Sequence, residues 1–340
     1  MSDLRGLPGG QMIGAVVALA LCVLMALGAP AVFAQDGESR KPEGRRVEAL
    51  SQAGYDLIVE AQTQLEAENF AGALSTLSRI INSPGNYKGI DVATAYKFRG
   101  YAYAGQDNYS AATKDFEAAI NNGSLPEYDV TDLTYNLAQL FLATEQYGKA
   151  VQYLERWLAG AENPNAQAFF FAAQTYAVVD RMADAENYAD RGLQKARETG
   201  VALQENWLRI ASTVFLQRGK YSKARPILEQ LIAGWPDKKD YYVQLGGVYQ
   251  ELGQERDSFA VLALAYSNNL PLSSSEIVRL AQLYRLYDYP YKAAKILEKE
   301  IAAGRVTQNK SNWQELGDSW FQAREMRKAI KPLTNAARLA

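Results

Sequence analysis

Between Glu205 and Leu272 two segments match each other, by class of residue, at a separation of 34. Trp207 pairs with Tyr241, Ala211 with Leu245, Ser212 with Gly246, Phe215 with Tyr249, Gly219 with Gly253, Ala224 with Ser258 and Leu228 with Leu262. Inside the first copy, Leu208, Ala211, Ser212 and Phe215 fall at i, i+3, i+4 and i+7, which is one stripe of a helix. A turn follows at Arg218-Gly219, and Ala224, Leu228 and Leu231 form a second stripe. Each copy therefore predicts two antiparallel helices with facing apolar stripes and small residues where the backbones cross. A hairpin of this size cannot cover its own apolar surface. Neighbouring copies must stack, and a period of 34 residues marks a helical solenoid.

The order large, small, small, aromatic, then Gly-x-Tyr-x-x-Ala, resembles the tetratricopeptide repeat (TPR). The small residue of the second helix recurs at Ala73, Ala112, Ala150, Ala185, Ala224, Ser258, Ala293 and Ala329, in steps of 34 to 39 residues. The resemblance implies an all-α, right-handed α-solenoid of about eight TPR helix-turn-helix repeats within 51–340. The repeats fall near 54–87, 93–126, 131–164, 166–199, 205–238, 239–272, 274–307 and 310–340. Longer steps are loop insertions at Ser83-Pro84-Gly85-Asn86 and Asn121-Asn122-Gly123-Ser124. Gly246 and Gly317 are expected to let helices approach closely. The first repeat departs furthest from the pattern, with Glu60 and Gln64 at apolar positions. Pro226 and Pro332 fall inside second helices and are expected to bend them.

Met1 to Ala34 reads as a secretory signal: Arg5 and the free amine lead, Met12 to Leu27 is apolar, and Val32-Phe33-Ala34 supplies a cleavage site. The expected mature start is Gln35, followed by a polar linker over 35–50. The alternative is a retained membrane anchor, against which Gly28 and Pro30 interrupt the apolar run. The only cysteine, Cys22, lies in the signal, and the chain has no histidine. The mature chain therefore offers no disulfide, no usual zinc ligand set and no Ser-His or Cys-His nucleophile. No carboxylate pair is placed for catalysis and no cofactor motif is present, so a non-enzymatic role is expected. A formal charge of -2 supplies no overall field to attract nucleic acid or hold an anionic membrane, and no stable membrane insertion is expected after cleavage.

In the TPR family, positions 2, 5, 9, 12 and 13 line the concave side of the solenoid. Position 9 is here Gln62, Gln139, Gln174 and Gln282 in four of eight repeats. Such a row offers paired donors and acceptors to the backbone of an extended peptide, beside which Tyr101, Tyr135 and Phe170 are expected to receive apolar side chains. Solubilising amides on any helical surface are the plainer explanation. The family's carboxylate clamp, Lys at position 5 with Asn at position 9, is absent, because Lys97 is followed by Tyr101. At the far end, Ile330, Leu333 and Ala337 form an i, i+3, i+7 stripe with Leu339 beside it. Part of this stripe is expected to face its own repeat, and part to lie open to a partner or a second copy, giving a homo-oligomer.

From Asn206-Trp-Leu-Arg through Asp240-Tyr-Tyr-Val-Gln-Leu-Gly-Gly-Val-Tyr and on to Pro271-Leu, the chain is similar to exported TPR proteins described as components of TonB energy-transduction systems. These are associated with TonB, ExbB and ExbD in Gram-negative bacteria. The resemblance implies a periplasmic protein-binding scaffold serving outer-membrane uptake. An adaptor for envelope assembly or secretion, or an accessory to a cell-wall enzyme, are the alternatives. Intact-mass analysis of the envelope fraction is expected to show a chain beginning at Gln35, and a chain that keeps Met1 overturns cleavage.

Overall fold

The computed structural model describes residues 48–339, so the expected signal segment 1–34 and most of the linker lie outside the described residues. Sixteen α-helices follow one another, with one 3-10 turn at Pro84–Asn86 and no strand among the described residues. The chain divides into two units, Met1–Ala185 and Glu186–Ala340. The first holds α1 (Gln52–Glu66), α2 (Phe70–Ile81), α3 (Gly89–Gly105), α4 (Tyr109–Asn122), α5 (Glu127–Ala143), α6 (Tyr147–Gly160) and α7 (Ala166–Val178). Helix α8 (Met182–Thr199) carries the division. The second unit continues with α9 (Glu205–Gln217), α10 (Tyr221–Gly234), α11 (Lys239–Glu251), α12 (Glu255–Ser267), α13 (Ser274–Leu286), α14 (Pro290–Ala302), α15 (Lys310–Gln322) and α16 (Met326–Arg338). Each unit is thus all-α among the described residues, a run of antiparallel helix pairs as the 34-residue spacing predicts. No helix among the described residues is long and apolar enough to cross a membrane.

What makes each pair turn back is one left-handed residue. Glu68, Asp107, Glu145, Asp180, Gly219, Gly253, Asp288 and Arg324 all have positive φ, one per pair. The next residue's N–H then reaches the carbonyl five residues back, as in Asn108 to Tyr103, Lys220 to Phe215 and Glu325 to Trp320. That bond closes the first helix and aims the second antiparallel to it. Six of the eight positions carry a side chain there, each at a cost of about 1–2 kcal/mol relative to glycine's freedom.

The pairs meet at the small residues. Ala73, Ala112, Ala150, Ala185, Ala224, Ala293 and Ala329 are all buried, and Ser258 is half-buried. Larger side chains then fill the space around these crossings, with Phe116, Phe141, Leu154, Phe215, Leu228, Leu297 and Trp320 almost wholly enclosed. Pro226 and Pro332 sit inside α10 and α16 without ending either helix. In the polar first repeat, Thr76 bridges the pair by bonding Glu60 at 3.2 Å and Gln64 at 3.1 Å. Glu60 is in fact exposed and Gln64 half-buried, so the polar residues of this repeat sit at its edge, where they meet buried Thr76.

Buried charge fastens one pair to the next. Asp91, fully buried near the start of α3, accepts from Ser51 N at 2.9 Å, Ser51 Oγ at 2.7 Å and Lys88 N at 2.9 Å. Ser51 Oγ in turn accepts from Gly54 N, so one carboxylate closes the starts of both α1 and α3. Within one pair, Arg99 of α3 grips Asp115 of α4 with two bonds of 2.7 and 2.8 Å. On the second helices a cation recurs over the ring of its own pair: Lys149 over Phe141, Lys223 over Phe215, Lys292 over Tyr284 and Lys328 over Trp320.

The glycine crossings differ from one another. A Cβ on Gly100 would lie 2.4 Å from the ring of enclosed Phe116, and one on Gly317 would lie 2.5 Å from Leu333 Cδ2. At Gly246, against expectation, a Cβ would meet only Ser258 Oγ, at 3.8 Å, because the second helix presents a small serine there. Gly246→Ala is therefore expected to stabilise the fold by about 0.5–1 kcal/mol through lost chain entropy. Gly100→Ala is expected to cost about 1–3 kcal/mol through overpacking. Chemical denaturation of the two variants checks the opposite signs.

Candidate peptide-binding face of the first unit

Helices α3, α5 and α7 are the first members of successive pairs and carry five of the seven residues expected on the concave side. On α3, Tyr101 is half-buried with its ring edge-on to Phe116 at 5.1 Å. Asn136 on α5 donates to its hydroxyl at 3.3 Å. Burial, then Asp132 and Asp129, push the Tyr101 hydroxyl far above the usual phenol range, so it stays a neutral donor. Tyr135 packs its ring 4.6 Å from Trp157 and 5.3 Å from Phe171. Burial raises its hydroxyl as well, and Gln139 hydrogen-bonds it.

Around these tyrosines lies a charged set that sequence reasoning missed. Lys97 donates to Asp129 at 2.8 Å and stands 5.0 Å from the Phe98 ring. Its charge is answered within the face, which also removes it as a grip for a terminal carboxylate. Asp132 is exposed beside this pair. Partial loss of solvent on the side facing the helices, and then Asp129, raise its carboxyl from its ordinary value, and Lys97 only partly opposes them. Tyr128 is exposed next to both acids. The signal was available in the offsets: Lys97 to Asp129 is 32 residues and Tyr101 to Asn136 is 35, each close to one repeat.

The remaining sequence-derived residues divide. Gln62 on α1 and Gln174 on α7 are half-buried, whereas Gln139 is engaged by Tyr135. Phe170 is only 1 % exposed, so the expectation that it receives a ligand side chain is corrected: it is a core residue. Its neighbour Phe171 is the half-buried ring that meets Tyr135. Gln282 belongs to the second unit, where it is exposed and bonds Glu315. At α16, Leu333 turns inward against Gly317, while Ile330, Ala337 and Leu339 are exposed. The face can therefore offer an incoming chain two neutral hydroxyls, amides and a negative edge, a combination suited to a backbone carrying cationic side chains.

No family model matches the chain, and no curated protein matches it. Among solved structures it is similar to a tetratricopeptide repeat protein from Parabacteroides merdae ATCC 43184, at 15% identity over 79% of this chain and 99% of that one, TM-score 0.46. It is similar also to YrrB, a TPR protein with an unusual peptide-binding site, at 21% identity over 54% of this chain and 88% of that one, TM-score 0.46. For MamA the figures are 13% identity, 52% and 92%, and TM-score 0.45.

Because the fold raises the Asp132 carboxyl, it favours the protonated form. Its contribution to stability is fullest at acid pH and is lost as pH rises from the unfolded carboxylate value through the raised folded one. Asp132→Asn is expected to melt at or above the wild type near neutral pH and to converge with it by about pH 3. Melting curves across that range decide, and a variant that melts lower at neutral pH overturns this account of Asp132.

Proposed function

We propose that the protein is a non-enzymatic scaffold whose first unit holds an extended, cationic protein segment on the face of α3, α5 and α7. One contrast carries the reading. Elsewhere in this unit several charges are already answered by the protein itself, as in Arg181 with Glu155 at 2.6 Å and Lys149 over Phe141. On the first-helix face Asp132 remains exposed beside two neutral tyrosine hydroxyls and half-buried Gln174. Polar groups presented this way bond a peptide backbone irrespective of most side chains, while the acid selects for positive charge.

The finer proposal is a periplasmic accessory of a TonB, ExbB and ExbD uptake system. It is supported by the apolar run Met12–Leu27 with Val32-Phe33-Ala34 and by the similarity of the C-terminal half to exported proteins of that kind. Calorimetric titration of the mature chain with the soluble domains of TonB and of ExbD tests it. Binding that weakens about tenfold, or 1.4 kcal/mol, in Tyr135→Ala/Asp132→Asn is the expected outcome. Absence of binding to either domain overturns the uptake role. Binding unchanged in the double variant moves the site off this face.

A further inference from the structure

Register across the repeats identifies two open faces that fit each other. Counted from the small residue of each second helix, the position 17 residues earlier is buried at Ala95, Leu133, Ala168, Trp207, Tyr241 and Asn312, and half-buried at Glu276. In the first repeat the same position is Asp56, and it is exposed. The position one residue later than the small residue is buried or half-buried at Leu74, Thr113, Val151, Glu186, Arg225, Phe259 and Ala294. In the last repeat it is Ile330, 64% exposed. The two faces thus present positions that a neighbouring repeat covers elsewhere.

The junctions inside the second unit show what meets at these positions. Glu276, 17 before its small residue, accepts from Lys239, 19 before that of the preceding repeat, at 2.7 Å. Glu315, 14 before, meets Arg285, eight before, at 3.0 Å. Arg218, six before, meets Glu186, one after, at 3.0 Å. Transferred to the open faces, these three pairings become Asp56 with Lys310, Val59 with Phe321, and Ala67 with Ile330. The first is an ion pair and the others are apolar, and all six residues are exposed, Val59 at 39% and Phe321 at 58%. The helices behind them are charged in opposite senses. Helix α1 carries Asp56, Glu60 and Glu66 and no base, whereas α16 carries Arg327, Lys328, Lys331 and Arg338 and no acid.

We infer that the protein associates head to tail with a second copy of itself, the α1 face of one copy docking on the α15–α16 face of the next as a following repeat would. A symmetric contact is opposed by charge, since α1 on α1 or α16 on α16 sets like against like. The inference is independent of the peptide-binding proposal, which concerns another face.

Sedimentation velocity of the mature chain over a concentration series tests it. Wild type gains mass with concentration and passes beyond a dimer, because each docked copy leaves one face of each kind open. Val59→Asp alone and Ile330→Asp alone remain monomeric, yet their equimolar mixture associates and stops at a dimer. Asp56→Lys and Lys310→Asp, both at exposed sites, each weaken association, and the chain carrying both regains it. A monomeric wild type overturns the inference, as does association of Val59→Asp alone equal to wild type, or a mixture that stays monomeric while both variants keep the wild-type helical signal and melting temperature.

Discussion

Everything in this chain depends on a crossing at which two backbones come close over an alanine. Such a crossing buries little area at the point of contact, so the pair must draw its stability from the larger rings and aliphatics on either side and from the next pair. Phe116 shows the geometry: its ring lies against Gly100 of α3 closely enough to exclude a methyl group. The left-handed residue between the two helices is the second half of the same constraint. It fixes the direction of the second helix with one backbone bond, and the chain accepts a side chain at that φ in six of eight turns.

At the junctions between pairs, polar groups set the register. Asp91 ties the start of α1 to that of α3, Lys97 ties α3 to Asp129 of α5, and Lys239 ties α11 to Glu276 of α13. Each is at least partly shielded from water, so each costs desolvation that the apolar packing around it must offset. In return a slipped pairing leaves a shielded charge unanswered. Arg99 with Asp115 works in the same sense within a pair, since the two parallel bonds fix the guanidinium in one orientation over Tyr96 and Tyr103.

The helix pairs were legible because alanine and aromatic positions recur with the period of the fold. Trp320 and Ala329 could be placed in the core from spacing alone. The face was less legible, for a physical reason. Position 5 of the fourth repeat is Phe170 and its neighbour is Phe171, and a run of three rings, Phe169 to Phe171, gives periodicity no means of choosing which one turns inward. The glutamine row was readable as a pattern, but not the hydrogen bond that commits Gln139 to Tyr135. The acids Asp129 and Asp132 were overlooked because they lie at the start of α5, ahead of the apolar stripe that defined the repeat.

A repeat array separates two properties that a single-core protein merges, the identity of a position and the identity of the residue in it. The position 17 residues before the small residue holds Trp207, Tyr241, Glu276 and Asn312 in successive repeats of the second unit. Of these, Tyr241 and Glu276 bond the first residue of the preceding first helix, Glu205 and Lys239. Geometry therefore assigns the contact, and chemistry decides only its strength and sign. Applied to the first-helix face, the same reasoning explains why Tyr101 and Asn136 meet: they occupy neighbouring positions on α3 and α5. A surface of this kind changes its ligand chemistry one residue at a time without altering the helices that carry it, provided the alanines and left-handed turns beneath are kept.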